Sequence, residues 1–272
     1  MKNDPHRRIT KSGLDSVKIE LSVEGNKLLQ EVLDWVNSSD EIKTLWKVIN
    51  VNATNRLGMT DHGPTHFQIV ANNALTIARI FKKKGIEMSI VKDLGLTNDH
   101  SEVVIFLASV MHDLGMSIHR IGHEEFSLFL ANRLLQDVLS FLPTEERAVV
   151  ISETLHAIIS HRAGGEPYTI EAGIVRIADA LDMTKGRSRI PTALGNIDIH
   201  SVSHQSIESV GIVEGTDRPV EIKVVMTNPA GIFQVDDLMQ DKLKGGGIEK
   251  YIGAKAYILE DGKEKLFKEF IL

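Results

Sequence analysis

The chain has 272 residues, of which 42% are hydrophobic and 25% are charged, and its net charge is -6 at pH 7. This composition is ordinary for a globular protein, and the acidic charge argues against general nucleic-acid binding or attachment to a membrane surface. Cysteine is absent, which excludes disulfides, thiolate metal sites and cysteine nucleophiles, so any metal must be held by histidines and carboxylates. The basic start lacks the apolar run of a signal peptide, and no apolar stretch is long enough to span a bilayer. A cytoplasmic protein is therefore predicted.

Apolar residues at helical spacing predict a series of helices after a loosely structured lead at residues 1–20. The predicted helices cover 24–36, 41–55, 64–84, 101–112, 123–141, 145–160 and 171–183. The third opens on Pro64 and ends on three lysines followed by Gly85, the order that helix termini prefer. The helix at 101–112 is apolar all round, so it should lie at the centre.

The composition changes after about Ile190, where alternating residues predict strands. The predicted strands cover 207–214, 220–226, 252–259 and 265–271, and Glu260-Asp261-Gly262 is a hairpin signal between the last two. A helix is predicted over 232–243, stopped by a connector at Gly245-Gly246-Gly247. The fold class that follows is mainly α, with an all-helical domain at 1–192 and a small α+β domain at 193–272.

The C-terminal domain has little helix with which to cover its sheet. An uncovered apolar sheet face is unfavourable in water. We therefore expect residues 193–272 to pack against the helical domain or a second subunit, with a role in assembly or in gating a site. A homo-oligomer, most simply a dimer, is predicted.

Several of the eleven histidines, and two aspartates, fall at helix ends or among apolar residues. They are His62, His66, His112, Asp113, His119, His123, His156, His161 and Asp179. Each has an ordinary alternative: a hydrogen-bonded core histidine, a capping carboxylate at Asp113, or pairing of Asp179 with Arg176 or Arg187. Their ordered series favours a metal site, and mixed imidazole and carboxylate ligands suit a first-row transition metal. His200 and His204 are interpreted as surface residues.

Four segments, DHGPTHFQIVANNALTIA, MHDLGM, HRIGHEEFSLFLANRLL and RIADALDMTKGR, resemble the successive motifs of the HD-domain superfamily of metal-dependent phosphohydrolases. The resemblance covers about residues 50–190. It implies an all-helical fold and a divalent metal (Mn, Fe, Ni, Co or Zn) held by His66, His112, Asp113 and Asp179.

Relatives with binuclear sites, which include the HD-GYP phosphodiesterases, add two histidines. His123 and His161 fit those places, and Asp113 would then bridge two metals. His156 could replace His161 after a modest shift of its helix, and His62 falls where trinuclear relatives have an extra ligand.

Two departures from the family pattern bear on the substrate. HRAGGEPY replaces the GYP signature, so cyclic-di-GMP is not indicated, and Met116 stands where a lysine often follows the His-Asp pair. Four cations remain as candidates for substrate binding, with solvated helix ends as their alternative: Arg120, Arg162, Lys185 and Arg187.

The leading functional hypothesis is metal-dependent hydrolysis of a phosphate ester or anhydride in a small molecule, such as a nucleotide or a related phosphodiester. Asp113 would be catalytic as the bridging ligand, and His119 or His156 would be the acid–base group. One alternative is a di-iron oxygenase that uses the same ligands. Another is a nucleotide-binding sensor without turnover.

Overall fold

A computed structural model describes residues 10–162, 164–184, 203, 205–237 and 242–270 of the chain. The α-helices in this part are α1 (Lys11–Asp15), α2 (Lys27–Ser38), α3 (Asp40–Asn50), α4 (Pro64–Lys83), α5 (Ser89–Leu94), α6 (Asn98–Met111), α7 (His123–Val138), α8 (Thr144–Ser160), α9 (Ile170–Ala180) and α10 (Ile232–Asp237). A π-helical segment, Val51–Arg56, continues α3, and a 3-10 turn, Leu114–Ser117, follows α6.

Helix α6 lies at the centre of the helical part, as its apolar sequence predicts. Every residue from His100 to Met111 is buried, and the helix contacts α2, α4, α8 and α9. The indole N–H of Trp46, on α3, donates to the carbonyl of Val110 at 2.9 Å. The C-terminal end of α6 is therefore held deep inside the protein, and this end leads into the His112-Asp113 pair.

The predicted helices from 64 onward agree with α4 and α6 to α9, with shifts of a few residues at their ends. Two short helices were not predicted. Helix α1 lies in the lead that was expected to be loosely structured, and α5 was not expected at all. Both are five or six residues long, too short for a clear apolar period.

The C-terminal part forms a four-stranded sheet in the order β1-β2-β3-β4. The strands are β1 (Ile207–Glu214), β2 (Val220–Met226), β3 (Ile252–Glu260) and β4 (Lys263–Phe270). The outer pairs are antiparallel, whereas β2 and β3 run parallel and need the long crossover between them. The predicted hairpin joins β3 to β4, with positive φ at Asp261 and Gly262.

The helix predicted over 232–243 is described only in part. Helix α10 covers Ile232–Asp237, and residues 238–241 lie outside the described residues, as does the predicted domain boundary at 192. Leu243 is fully buried, just beyond the undescribed residues.

The sheet and the helices share one hydrophobic core within the chain. Strands β1 and β2 contact α4, and the ring of Tyr251 packs on that of Phe81 with centroids 5.3 Å apart. A second contact joins α9 to the crossover, because a Cβ on Gly173 would overlap the carbonyl oxygen of Gly246. The C-terminal part is thus docked on the helical part, which was one of the two arrangements expected. No helix in the described part is long and apolar enough to cross a membrane.

We predict that Gly173→Ala destabilises the protein. The added methyl group would meet a backbone oxygen that cannot rotate away, and overpacking of this kind costs about 1–3 kcal/mol. Gly211→Ala is the matched control, because the nearest atom to its Cβ lies 4.0 Å away. The free energy of unfolding, measured in urea, should fall for Gly173→Ala only. Equal stability of the two variants would contradict the close packing of α9 on the crossover.

Candidate metal centre

Six side chains that the sequence singled out converge at the inner ends of α4, α6, α7, α8 and α9. They are His66, His112, Asp113, His123, His161 and Asp179. His66 lies in the first turn of α4, which Pro64 opens, and His112 and Asp113 follow the last residue of α6. Gly115 lets the next turn approach α7 closely, because a Cβ there would overlap the carbonyl oxygen of His123. The fold therefore fixes His123 beside the His-Asp pair.

One half of the cluster surrounds Oδ1 of Asp179 and Oδ2 of Asp113. The Nε2 atoms of His66 and His112 are 3.1 Å apart, and they lie 3.4 and 3.6 Å from Asp179 Oδ1. Asp113 Oδ2 lies 3.8 and 3.6 Å from the same two nitrogens. Two imidazoles and two carboxylates thus point their donor atoms at a common volume.

The other half of the cluster surrounds the second oxygen of Asp113. Its Oδ1 lies 3.0 Å from Nε2 of His123 and 3.8 Å from Nε2 of His161. Glu124, which the sequence did not single out, has a carboxylate oxygen within 4.8 Å of donor atoms of the same two histidines. The two oxygens of Asp113 therefore face different pairs of imidazoles, as a bridging carboxylate does.

Hydrogen bonds made by Nδ1 of the clustered histidines decide which ring nitrogen is available to a metal. Nδ1 of His112 donates to the carbonyl of Ser109 at 2.9 Å, and Nδ1 of His161 donates to that of Ile158 at 2.6 Å. A carbonyl can only accept, so Nδ1 carries the proton and Nε2 keeps the lone pair that a metal needs. The donor set therefore fits a divalent transition metal.

His66 is oriented by an aspartate that sequence reasoning missed. Oδ2 of Asp182 lies 2.7 Å from His66 Nδ1, and the carboxylate is almost fully buried. Asp182 stands just beyond the end of α9, three residues after Asp179. This spacing was the only available signal, since it places both carboxylates on one side of the helix end.

The carboxylates of the cluster are held in their ionised form. Burial opposes ionisation of Asp113, but the charge of His112 and the hydrogen bond from His123 hold its pKa well below the usual range. Burial likewise opposes ionisation of Asp179, but the charges of Lys242 and His112 lower its pKa. Both groups are therefore available as anionic ligands at neutral pH.

The histidines of the cluster divide into two groups. Burial, together with the charge of His112, lowers the pKa of His161 to about 3, and burial also lowers the pKa of His112. For His66 and His123, burial is outweighed by hydrogen bonds to Asp182 and Asp113 respectively, so their pKa values are raised. Burial thus disfavours protonation of His112 and His161, whereas a metal must compete with a proton for His66 and His123.

The two proposed acid–base histidines do not join this cluster through any contact among the described residues. His119 is exposed, and its ring contacts the backbone of Ile121. His156 stacks on Tyr168 with centroids 4.6 Å apart and accepts a hydrogen bond from the Tyr168 N–H at 2.9 Å. The alternative in which His156 replaces His161 is thus disfavoured, since His161 is the residue that faces Asp113.

The predicted substrate cations differ in their surroundings. Arg120 lies next to the cluster, with Nη1 2.8 Å from Nδ1 of His123. Arg162 is exposed and pairs with Glu125 at 2.6 Å, as expected for a solvated helix end. Lys185 and Arg187 lie outside the described residues.

A lysine that sequence analysis did not single out contacts the cluster directly. Nζ of Lys242 is 3.1 Å from Oδ2 of Asp179 and 2.8 Å from the carbonyl oxygen of His161. Lys242 is 63 residues from Asp179 along the chain and belongs to the crossover between β2 and β3. No local pattern in the sequence could have linked the two.

Comparison with known proteins agrees with this arrangement. A family model described as the HD domain matches residues 65–184, which include all six clustered side chains. The chain is also 42% identical over 242 residues to a Methanocaldococcus jannaschii protein that is described as uncharacterized, and the match covers 89% of this chain and 93% of the relative. The chain belongs to the HD-domain superfamily, whose members are generally metal-dependent hydrolases that bind divalent metals.

We predict that Asp113→Ala abolishes tight metal binding, because Asp113 is the one member of the six described cluster residues whose two oxygens face both halves of the cluster. His123→Ala should remove one metal of two, since it faces only Oδ1 of Asp113. Metal content after dialysis, measured by inductively coupled plasma mass spectrometry, separates the two variants, with circular dichroism as the check on folding. Full metal content in Asp113→Ala would rule out the bridging role.

We also predict that Asp182→Asn weakens metal binding. Loss of the anionic partner of a ligating histidine typically costs about tenfold to a hundredfold in affinity. The control is Glu125→Gln, which removes the charge from an exposed ion pair. Titration of the metal-free protein with Co²⁺, followed by absorption, should show weaker binding for Asp182→Asn alone. Equal affinities would mean that Asp182 does not support His66.

Proposed function

We propose that the protein hydrolyses a phosphate ester or anhydride in a small molecule, with nucleotides as the first substrate class to test. Two divalent transition metals would be held by His66, His112, Asp113, His123, His161 and Asp179. The observation that carries this proposal is that the two oxygens of Asp113 face separate pairs of imidazole nitrogens.

The proposed chemistry requires both metals and a shielded site. When bound, such metals polarise phosphoryl oxygens and make water a nucleophile at neutral pH. The protein supplies anionic carboxylates, imidazoles with a fixed tautomer and a site from which bulk water is largely excluded. The side chains of His112 and Asp113 are 0% and 5% exposed. Electrostatic interactions are stronger in such surroundings than in open water.

The choice of metal follows from the donor set. Four imidazoles with two carboxylates favour Mn, Fe, Co, Ni or Zn over Mg or Ca, which prefer oxygen ligands. Arg120 supports an anionic substrate, because its guanidinium lies at the His123 side of the cluster. The net charge of -6 supports a small substrate in preference to a nucleic acid.

We also propose that the protein works in the cytoplasm as a homo-oligomer, most simply a dimer. Two bulky side chains support a partner surface: Ile121 is 80% exposed and Phe129 is 77% exposed. Both lie near the N-terminal half of α7. In this proposal residues 193–272 form a small α+β domain, packed on the helical part, that assists assembly or gating.

The test is turnover by the metal-loaded full chain. Nucleoside monophosphates and triphosphates, cyclic dinucleotides and a generic phosphodiester should be tried with Mn²⁺, with phosphate or nucleoside release as the readout. At least one class should be hydrolysed, and Asp113→Ala should lower the rate by more than a hundredfold, whereas Glu125→Gln should not. Nucleotide binding at full metal content without turnover of any class would favour the sensor instead.

A further inference from the structure

The metal centre has an open edge, and a lysine from the C-terminal part lies on it. Five of the six clustered side chains are at most 7% exposed, whereas Asp179 is 19% exposed. Lys242 is 20% exposed and lies on the outer oxygen of Asp179. A molecule that approaches this edge from solvent therefore meets the Lys242 ammonium group beside the cluster.

The position of Lys242 is fixed by its backbone. Its carbonyl accepts a hydrogen bond from Nε of Arg176 at 2.9 Å, and Arg176 is only 2% exposed. The next residue, Leu243, is fully buried, and the following turn is packed against Gly173. The ammonium group is also held by Asp179 and by the carbonyl of His161, so Lys242 loses less rotamer entropy on binding a ligand than an ordinary surface lysine does.

The ammonium group of Lys242 has more N–H donors than its contacts among the described residues use. It carries three N–H donors, and the contacts found among the described residues use two, to Asp179 and to the carbonyl of His161. Oδ1 of Asp179 faces the imidazoles while Oδ2 faces Lys242. The carboxylate can therefore serve a metal through one oxygen while the lysine stays in place on the other.

We propose that Lys242 is a substrate-binding residue, whose remaining N–H donates to a phosphoryl oxygen of the substrate. A lysine binds phosphate as a compact point charge, and this one stands where a phosphoryl group would enter the cluster. The inference rests on the proposed phosphohydrolase function and names the group that the site recognises. The match to the HD family ends at residue 184, and Lys242 lies beyond it. In this proposal the substrate site is therefore incomplete without the C-terminal part.

The test measures binding of inorganic phosphate to the full chain loaded with Mn²⁺, by isothermal titration calorimetry. Lys242→Met should weaken binding about tenfold to a hundredfold, the usual effect of losing a charge-assisted hydrogen bond. Lys242→Arg should keep most of the affinity, because it keeps the charge. The matched control is Lys244→Met, which removes an exposed lysine from the same segment and should leave the affinity unchanged. Metal content is measured for each variant.

Three outcomes would overturn the assignment. The first is an unchanged phosphate affinity in Lys242→Met. The second is loss of metal from this variant, which would mean that Lys242 supports Asp179 and does not bind the substrate. The third is that the unaltered chain does not bind phosphate. Failure of the proposed function would appear differently. Phosphate binding that depends on Lys242, without hydrolysis of any phosphate compound, would refute hydrolysis and leave the phosphate site standing.

Discussion

The ionised carboxylate of Asp113 is the constraint on which the site depends. A buried charge is costly unless it is paired and hydrogen-bonded, and here imidazoles face both of its oxygens. Those imidazoles come from α4, α7, α8 and the end of α6, so the helices must all meet at one point. The buried helix α6 provides that point, because its packing in the core positions His112 and Asp113, the two residues that follow it. The packing of the hydrophobic core thus positions the polar cluster, and the contacts within the cluster hold the helix ends together.

The outer contacts of the ligands explain why the cluster can be so polar and so buried. Carbonyls at the ends of α6 and α8 hold His112 and His161 by Nδ1, and Asp182 holds His66. In each case the residue that orients the ring is three positions away or at a neighbouring helix end. Helix ends have carbonyls without partners inside the helix, and they serve here as acceptors for the rings.

Local patterns were sufficient to predict most of the fold, whereas the set of six clustered residues followed from the resemblance to the HD-domain superfamily. The strands β1 and β2 have the predicted bounds, and α6 was correctly placed at the centre, because alternation and all-round apolarity are properties of short segments. Asp182 and Lys242 were missed because their roles arise from tertiary contacts. His119 and His156 were given acid–base roles by residue type alone, and their hydrogen bonds lie elsewhere.

The parallel pairing of β2 and β3 has a consequence for how this protein can vary. Parallel neighbours need a long connection, and in this chain that connection carries Lys242 back to the metal centre. Insertions in the β3–β4 hairpin, which lies at the edge of the sheet, should be tolerated during evolution. Insertions between β2 and Lys242 would move the lysine away from Asp179 while every metal ligand stayed in place. The position of Lys242 therefore depends on the length of this connection and not on the residues proposed to hold the metals, so a change in that length would offer a route to new substrates at an unaltered metal site.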